Sequence, residues 1–134
     1  MSQAFPFLRQ RPVVCLVTDR RRLSDLTNER EAAERLVRLV GQAGRAGIDL
    51  VQIRERDMGG RALVDLVRRC VEAARGTPAQ IVVNDRLEIA LAAGAAGVHL
   101  RSDSIESARV RKATPPGFLI GRSVHGFADA AHAA

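Results

Sequence analysis

The stretch Leu50–Asp57, "LVQIRERD", decides how the rest of the chain is read. Leu50, Val51 and Ile53 have the apolar, β-branched character of a buried strand. Gln52, Arg54 and Arg56 occupy every second position. Side chains alternate along a strand, so these three share one face. Strands wrapped by helices on both sides are apolar on both faces. A strand with one polar, cationic face fits a sheet whose inner surface meets an anionic ligand.

Working outward, four further apolar runs read as strands: "PVVCLVTD" (12–19), "QIVVND" (80–85), "GVHL" (97–100) and "FLIGRSVH" (118–125). Between them lie helical patterns. Residues 28–44 put Ala33, Leu36, Val37, Val40 and Ala43 on one stripe, with Asn28 as N-cap and Glu31 three residues on. Residues 61–75 group Leu63, Leu66, Val67, Cys70, Val71 and Ala74, and Gly76 and Pro78 stop that helix. Shorter helices follow at 86–94 and 104–113, and another starts at Gly126. Strand and helix alternate, which predicts βα units and a parallel sheet.

A parallel sheet is either barrel-like or open and doubly wound. The first turn, "TDRRRLSD", lacks the glycine pattern of a nucleotide-binding open sheet. Polar residues gather at the C-terminal end of nearly every strand: Thr18 and Asp19, Gln52 to Arg56, Asn84 and Asp85, His99, then Ser123 and His125. That rim is where (β/α)8 barrels build their sites. The expected fold is α/β of the TIM (β/α)8-barrel family, as one domain over residues 1–134. A full barrel needs about 200 residues or more, so the 134 residues hold about five of eight units. A partial barrel is expected, truncated or completed by a partner.

Composition narrows the function. The chain is 46% hydrophobic, as globular proteins are, and no apolar run approaches the ~20 residues of a membrane span. "MSQAFPFLRQRP" has no long apolar core, so no secretory signal is read, and a cytoplasmic protein is the default. The net charge is +6, but it comes from arginines scattered over every segment, with Lys112 the single lysine. There is no Tyr or Trp to stack on bases, so a nucleic-acid partner is not expected and an anionic small molecule is. The run "DRRR" (19–22) reads as a solvated loop. Cys15 and Cys70 read as buried small hydrophobes in a reducing compartment.

The candidate chemistry follows from side-chain type. Asp85 is a hard oxygen ligand of the kind Mg²⁺ takes beside substrate phosphates, although Asp before a helix is more often an N-cap. Asn84 offers a donor and an acceptor. Arg54 and Arg56 suit bidentate phosphate contacts. For Arg56 the competing expectation is an ion pair with Glu55, Asp57 or Asp85. Arg54 reads as deeper, where an unpaired charge is costly, so it needs an anion. Ser123 and His125 share parity on the fifth strand, and histidine suits proton transfer near neutral pH. His99 reads as structural.

Taken in order, "LVTDR … LVQIRERD … VNDRLEIALAAGAAGVHL … IGRSVHG" resembles the thiamine-phosphate synthase/TenI family, from about Val13 to His125. The resemblance implies a (β/α)8 barrel and two activities. The synthase joins hydroxymethylpyrimidine diphosphate to thiazole phosphate with release of pyrophosphate, using Mg²⁺. The TenI branch is a thiazole tautomerase, which moves a proton and needs no metal. In the synthase reading the resemblance makes Gln52, Arg54, Arg56, Asn84 and Ser123 diphosphate contacts and Asp85 a Mg²⁺ ligand. In the tautomerase reading it makes His125 the acid/base.

The departures tilt the reading toward the tautomerase. The synthase usually has lysine where this chain has Arg56. It usually has "HLGQxD" after the fourth strand, and its Asp is a second metal ligand. Here the segment is "HLRSDS", with Ser104 at that position and Asp103 one residue early. Asn84-Asp85 still looks like the synthase, which stays as the alternative, with a non-catalytic fragment as a further one. The partners implied are phosphorylated thiazole and pyrimidine substrates, and a homo-oligomer is compatible. Because the family's thiazole-phosphate cradle lies in its late strands, the chain alone is expected to have little activity.

Overall fold

The computed structural model describes residues 11–23 and 28–133. The stretch 1–10, which carries most of the segment read for a signal, lies outside the described residues. Five strands and five α-helices alternate: β1 (Cys15–Val17), α1 (Glu29–Arg45), β2 (Leu50–Ile53), α2 (Gly60–Ala73), β3 (Gln80–Asn84), α3 (Leu87–Ala93), β4 (Gly97–Leu100), α4 (Ser107–Ala113), β5 (Leu119–Arg122) and α5 (Phe127–Ala133). A 3₁₀ turn, Arg20–Arg22, follows β1.

All strand pairs are parallel, and the sheet order is β1-β2-β3-β4-β5. Each strand therefore lies beside its neighbour in sequence. A doubly wound sheet reverses its strand order at a switch point. No reversal occurs here, so the winding is that of a barrel, carried through five units.

Parity assigns the two faces. Val51, Ile53, Ile81, Val83, Val98 and Leu100 point one way and are at most 3% exposed. They pack on Leu36 and Val40 of α1, on Leu63, Leu66, Val67 and Cys70 of α2, and on Ile89, Ala90 and Val110 further along. Each such aliphatic side chain contributes about 1.5–3 kcal/mol by leaving water. The other face is the would-be lumen, and near β1 it is open: Cys15 is exposed and Val17 is 49% exposed. The expectation that both cysteines are buried therefore holds for Cys70 and is corrected for Cys15. Its strand faces a side that no described element covers.

Local signals built the long helices. The Asn28 side chain accepts the Glu31 amide and caps α1. At the opposite end of the sheet from the candidate site, Asp49 ties the chain together. Its carboxylate takes both Arg11 Nη atoms, at 2.6 and 3.0 Å, and the Val14 amide at 2.9 Å. Arg11 and then Val14 hold this carboxyl below the usual carboxylate range. The strands are shorter than the sequence suggests, and the polar residues expected at their ends stand mostly in the loops beyond.

Candidate functional site

The loop after β2 is held from behind. Thr18 Oγ1 donates to Glu55 Oε2 at 2.6 Å and accepts the Arg54 amide at 3.1 Å. The Arg20 amide and Nη1 both donate to Glu55 Oε1, at 2.9 and 3.1 Å. The same guanidinium grips Asp57 with two bonds, at 2.8 and 2.9 Å. Arg20 is 4% exposed, so the expectation of a solvated "DRRR" loop is corrected for Arg20, while Arg21 and Arg22 are exposed as expected. The reason is that the buried Glu55 and the adjacent Asp57 need a cation, and Arg20 is placed to be one. Hydrogen bonding to Asp57 raises the Arg20 pKa, and Asp57 is lowered in turn.

With Glu55 buried and Asp57 held by Arg20 at the surface, Arg54 and Arg56 project outward. Both are exposed and make no ion pair among the described residues. For Arg54 this corrects the expectation of a deep charge: β2 ends at Ile53, so Arg54 already stands at the rim in water. For Arg56 the competing ion pair is also corrected, because Glu55 and Asp57 are occupied by Arg20.

The loop after β3 has a different constraint. Asp85 has φ +61°, the one non-glycine residue in the left-handed region among those described, and strain of that kind costs on the order of 1 kcal/mol. Its amide donates to the His99 carbonyl at 2.7 Å, and its Oδ1 accepts the Ser104 hydroxyl. Asp85 is thus not an N-cap: the residue before α3 is Arg86, with no side-chain cap. Ser104 is itself fixed by Arg122, whose guanidinium donates to the carbonyls of Ser102, Ser104 and Ile105 at 3.1, 2.9 and 2.8 Å.

Arg56, Asn84 and Asp85 line one cavity of about 200 Å³, together with Arg86, Arg101 and Glu55. A larger opening of about 660 Å³ lies between α4, β5 and α5. It contains none of the rim residues named so far except Arg122, whose Nη1 and Nη2 bond the β4–α4 loop.

Gln52, Asn84, His99 and Ser123 share the lumen face by register and parity. Gln52 is buried, 8% exposed. His99 Nε2 lies 3.0 Å from Ser123 Oγ, and burial pushes the imidazole below its ordinary value. Gly121 makes room for that ring: a β-carbon there would sit 2.6 Å from His99 Nδ1. Ser123, expected among the phosphate contacts, is paired with His99. His125 is exposed beyond β5, and its side chain bonds no other described residue. The structure therefore brings together Arg56, Asn84 and Asp85, and separately His99 and Ser123. It does not bring His125 into either group.

A Mg²⁺ ion takes six oxygens in near-octahedral array, including one or two carboxylates. Of the cavity's carboxylates, Glu55 is committed to Thr18 and Arg20, and Asp85 Oδ1 to Ser104. Asp103 is exposed and pairs with Arg101 at 3.0 Å. The described residues hold no group of three or more His, Cys, Asp or Glu that could hold a metal ion. Of the cavity's carboxylates, Asp85 alone keeps an oxygen free of any described partner, and the three guanidiniums that share its cavity favour an anion over a dication.

Residue spacing placed Thr18 at the rim but did not expose its bond to Glu55, nor the roles of Arg20, Arg101 and Arg122. One signal was present for Arg20. Glu55 falls at the parity of Val51 and Ile53, and a carboxylate on the helix side of a strand end requires a cation.

Parallel units wound in sequence, with guanidinium and amide side chains at the C-terminal rim, define an α/β barrel-type protein. Comparison narrows the class. The family profile described as thiamine monophosphate synthase matches residues 15–134, and the chain belongs to that family. It is 41% identical over 92 residues to a thiamine-phosphate synthase of Methanoculleus marisnigri, covering 69% of this chain and 44% of the relative. It is 41% identical over 115 residues to that of Solidesulfovibrio magneticus, covering 86% and 51%. The solved thiamine phosphate pyrophosphorylase from Pyrococcus furiosus superposes with a TM-score of 0.73 at 26% identity, over 90% of this chain and 54% of that one. The chain spans about half the length of the curated relatives it matches.

Proposed function

We propose that this chain supplies the diphosphate-binding rim of a thiamine-phosphate synthase, which joins a pyrimidine diphosphate to a thiazole phosphate. The observation that carries the reading is the convergence of Arg56 and Asn84, 28 residues apart in sequence, on one rim cavity. The names of the relatives support the synthase over the tautomerase that the sequence favoured. His125, exposed and without a partner among the described residues, gives the tautomerase no geometric support.

The chemistry suits the residues. The bond between the pyrimidine's methylene carbon and the diphosphate oxygen breaks, and its electron pair leaves on the diphosphate. That oxygen gains charge as the bond lengthens, so a guanidinium beside it stabilises the transition state more than the bound substrate. Arg56 is the residue placed for this, and Asn84 orients the diphosphate by hydrogen bonding. Pyrophosphate departs as the new bond to the thiazole forms. Asp85 holds Ser104 and with it the β4–α4 loop.

The test is a chimera of this chain with the C-terminal half of the Solidesulfovibrio magneticus synthase, assayed with both substrates. Pyrophosphate release is expected, and Arg56→Ala should lower kcat/KM about ten- to a hundredfold, the worth of a charged hydrogen bond. A folded chimera that exchanges the thiazole proton but forms no pyrophosphate would contradict the reading.

A further inference from the structure

We propose that the cavity between Arg56, Asn84 and Arg101 binds a phosphate or diphosphate group on guanidinium donors alone, without a divalent cation. The inference rests on the diphosphate reading above and concerns how the charge is met.

Three guanidiniums, Arg56, Arg86 and Arg101, line the cavity, and two carboxylates, Glu55 and Asp85. Glu55 is already balanced by Arg20 at 3.1 Å, behind the loop. Asp85 spends Oδ1 on the Ser104 hydroxyl. Among the lining side chains alone, a dication entering this space would meet three guanidiniums and two carboxylates, and the partners of Arg86 and Arg101, Glu88 and Asp103, lie outside the lining. That excess of guanidiniums attracts an anion, and Coulomb attraction is strengthened where protein displaces water.

The guanidiniums are also free to bind. Arg56 makes no ion pair among the described residues. Arg86 uses Nε toward Glu88 at 2.7 Å, and Arg101 uses Nη2 toward Asp103 at 3.0 Å. Each keeps its other nitrogens as donors. Both pairs are solvent-exposed, and exposed pairs hold weakly. A phosphate group, with more charge and more acceptor oxygens than one carboxylate, displaces such partners readily.

Arg101 and Ser104 act together in this scheme. The hydroxyl at position 104 contributes no charge, so the loop brings no second carboxylate to a metal. The guanidinium at position 101, three residues earlier on the same loop, brings a positive charge in its place. Arg122 keeps the loop in this arrangement through its three carbonyl contacts.

The test is calorimetric titration of inorganic pyrophosphate into the 134-residue chain, once with EDTA and once with excess Mg²⁺. Binding in EDTA should be at least as tight as in Mg²⁺. Arg56→Ala and Arg101→Gly should each weaken it about tenfold, while Arg38→Ala, on α1 and outside the cavity, should leave it unchanged. Ser104→Asp should make binding tighten when Mg²⁺ is added. Binding that requires Mg²⁺ in the unaltered chain would overturn the inference and leave the diphosphate reading standing. No binding in either buffer, with circular dichroism unchanged, would overturn both. Equal weakening by all three arginine variants would reduce the effect to diffuse charge attraction and likewise overturn it.

Discussion

At the residue scale, the Arg20–Glu55 pair decides where the rim arginines point. Both side chains are at most 5% exposed. Arg20→Met leaves a buried carboxylate without its cation, and that should cost about 3–5 kcal/mol in urea denaturation. Adding Glu55→Leu to Arg20→Met should recover much of the loss, because the orphaned charge is then gone. A single-variant loss below about 1 kcal/mol would mean the pair is not the support described. His99 gives a second residue-scale prediction. Burial lowers its pKa from 6.5, so the unfolded chain binds a proton that the folded chain resists. Its contribution to stability is present above pH 6.5 and falls away as the pH drops through the lowered value. An NMR titration of the imidazole nitrogens should give a midpoint below 6.5, and a midpoint above it would be inconsistent with the buried ring. The sequence shows both partners of the Asn28–Glu31 cap because they are three residues apart. It hides Arg20–Glu55, whose members are 35 apart and belong to two different loops.

At the element scale, β4 and β5 approach each other more closely than most side chains would allow. A β-carbon on Gly97 would lie 2.3 Å from the Leu119 carbonyl oxygen and 2.4 Å from its Cβ. A backbone carbonyl cannot swing aside as a flexible side chain can. Gly97→Ala should therefore push β5 off β4 and cost roughly 1–3 kcal/mol in urea denaturation. An unchanged midpoint would show that β5 can shift freely. Elements were legible where periodicity was long. The stripes of α1 and α2 appear in the sequence and in the core. Strand ends were less legible, because the polar run from Gln52 to Arg56 continues the alternation of β2 after its ladder has stopped at Ile53. Arg54 was placed too deep for that reason alone.

At the scale of the whole molecule, the five sequentially paired parallel strands make an open segment of a barrel, with helices on one face and rim loops at one end. Alternation of strand and helix predicted the parallel sheet, and the glycine-poor first turn with the polar strand ends chose this winding over a doubly wound one. The site was legible in part. Arg56, Asn84 and Asp85 stood out by residue type at strand ends, whereas the Arg101 contribution depended on how one loop folds back over Asp85. The rim loops after β2, β3 and β4 are proposed to form one anion site. The most direct test is backbone amide NMR of the chain titrated with inorganic pyrophosphate. Saturable shifts should concentrate in residues 54–57, 84–86 and 101–104, with α1 and α5 unmoved. Shifts confined to other segments, or none at millimolar pyrophosphate, would contradict it.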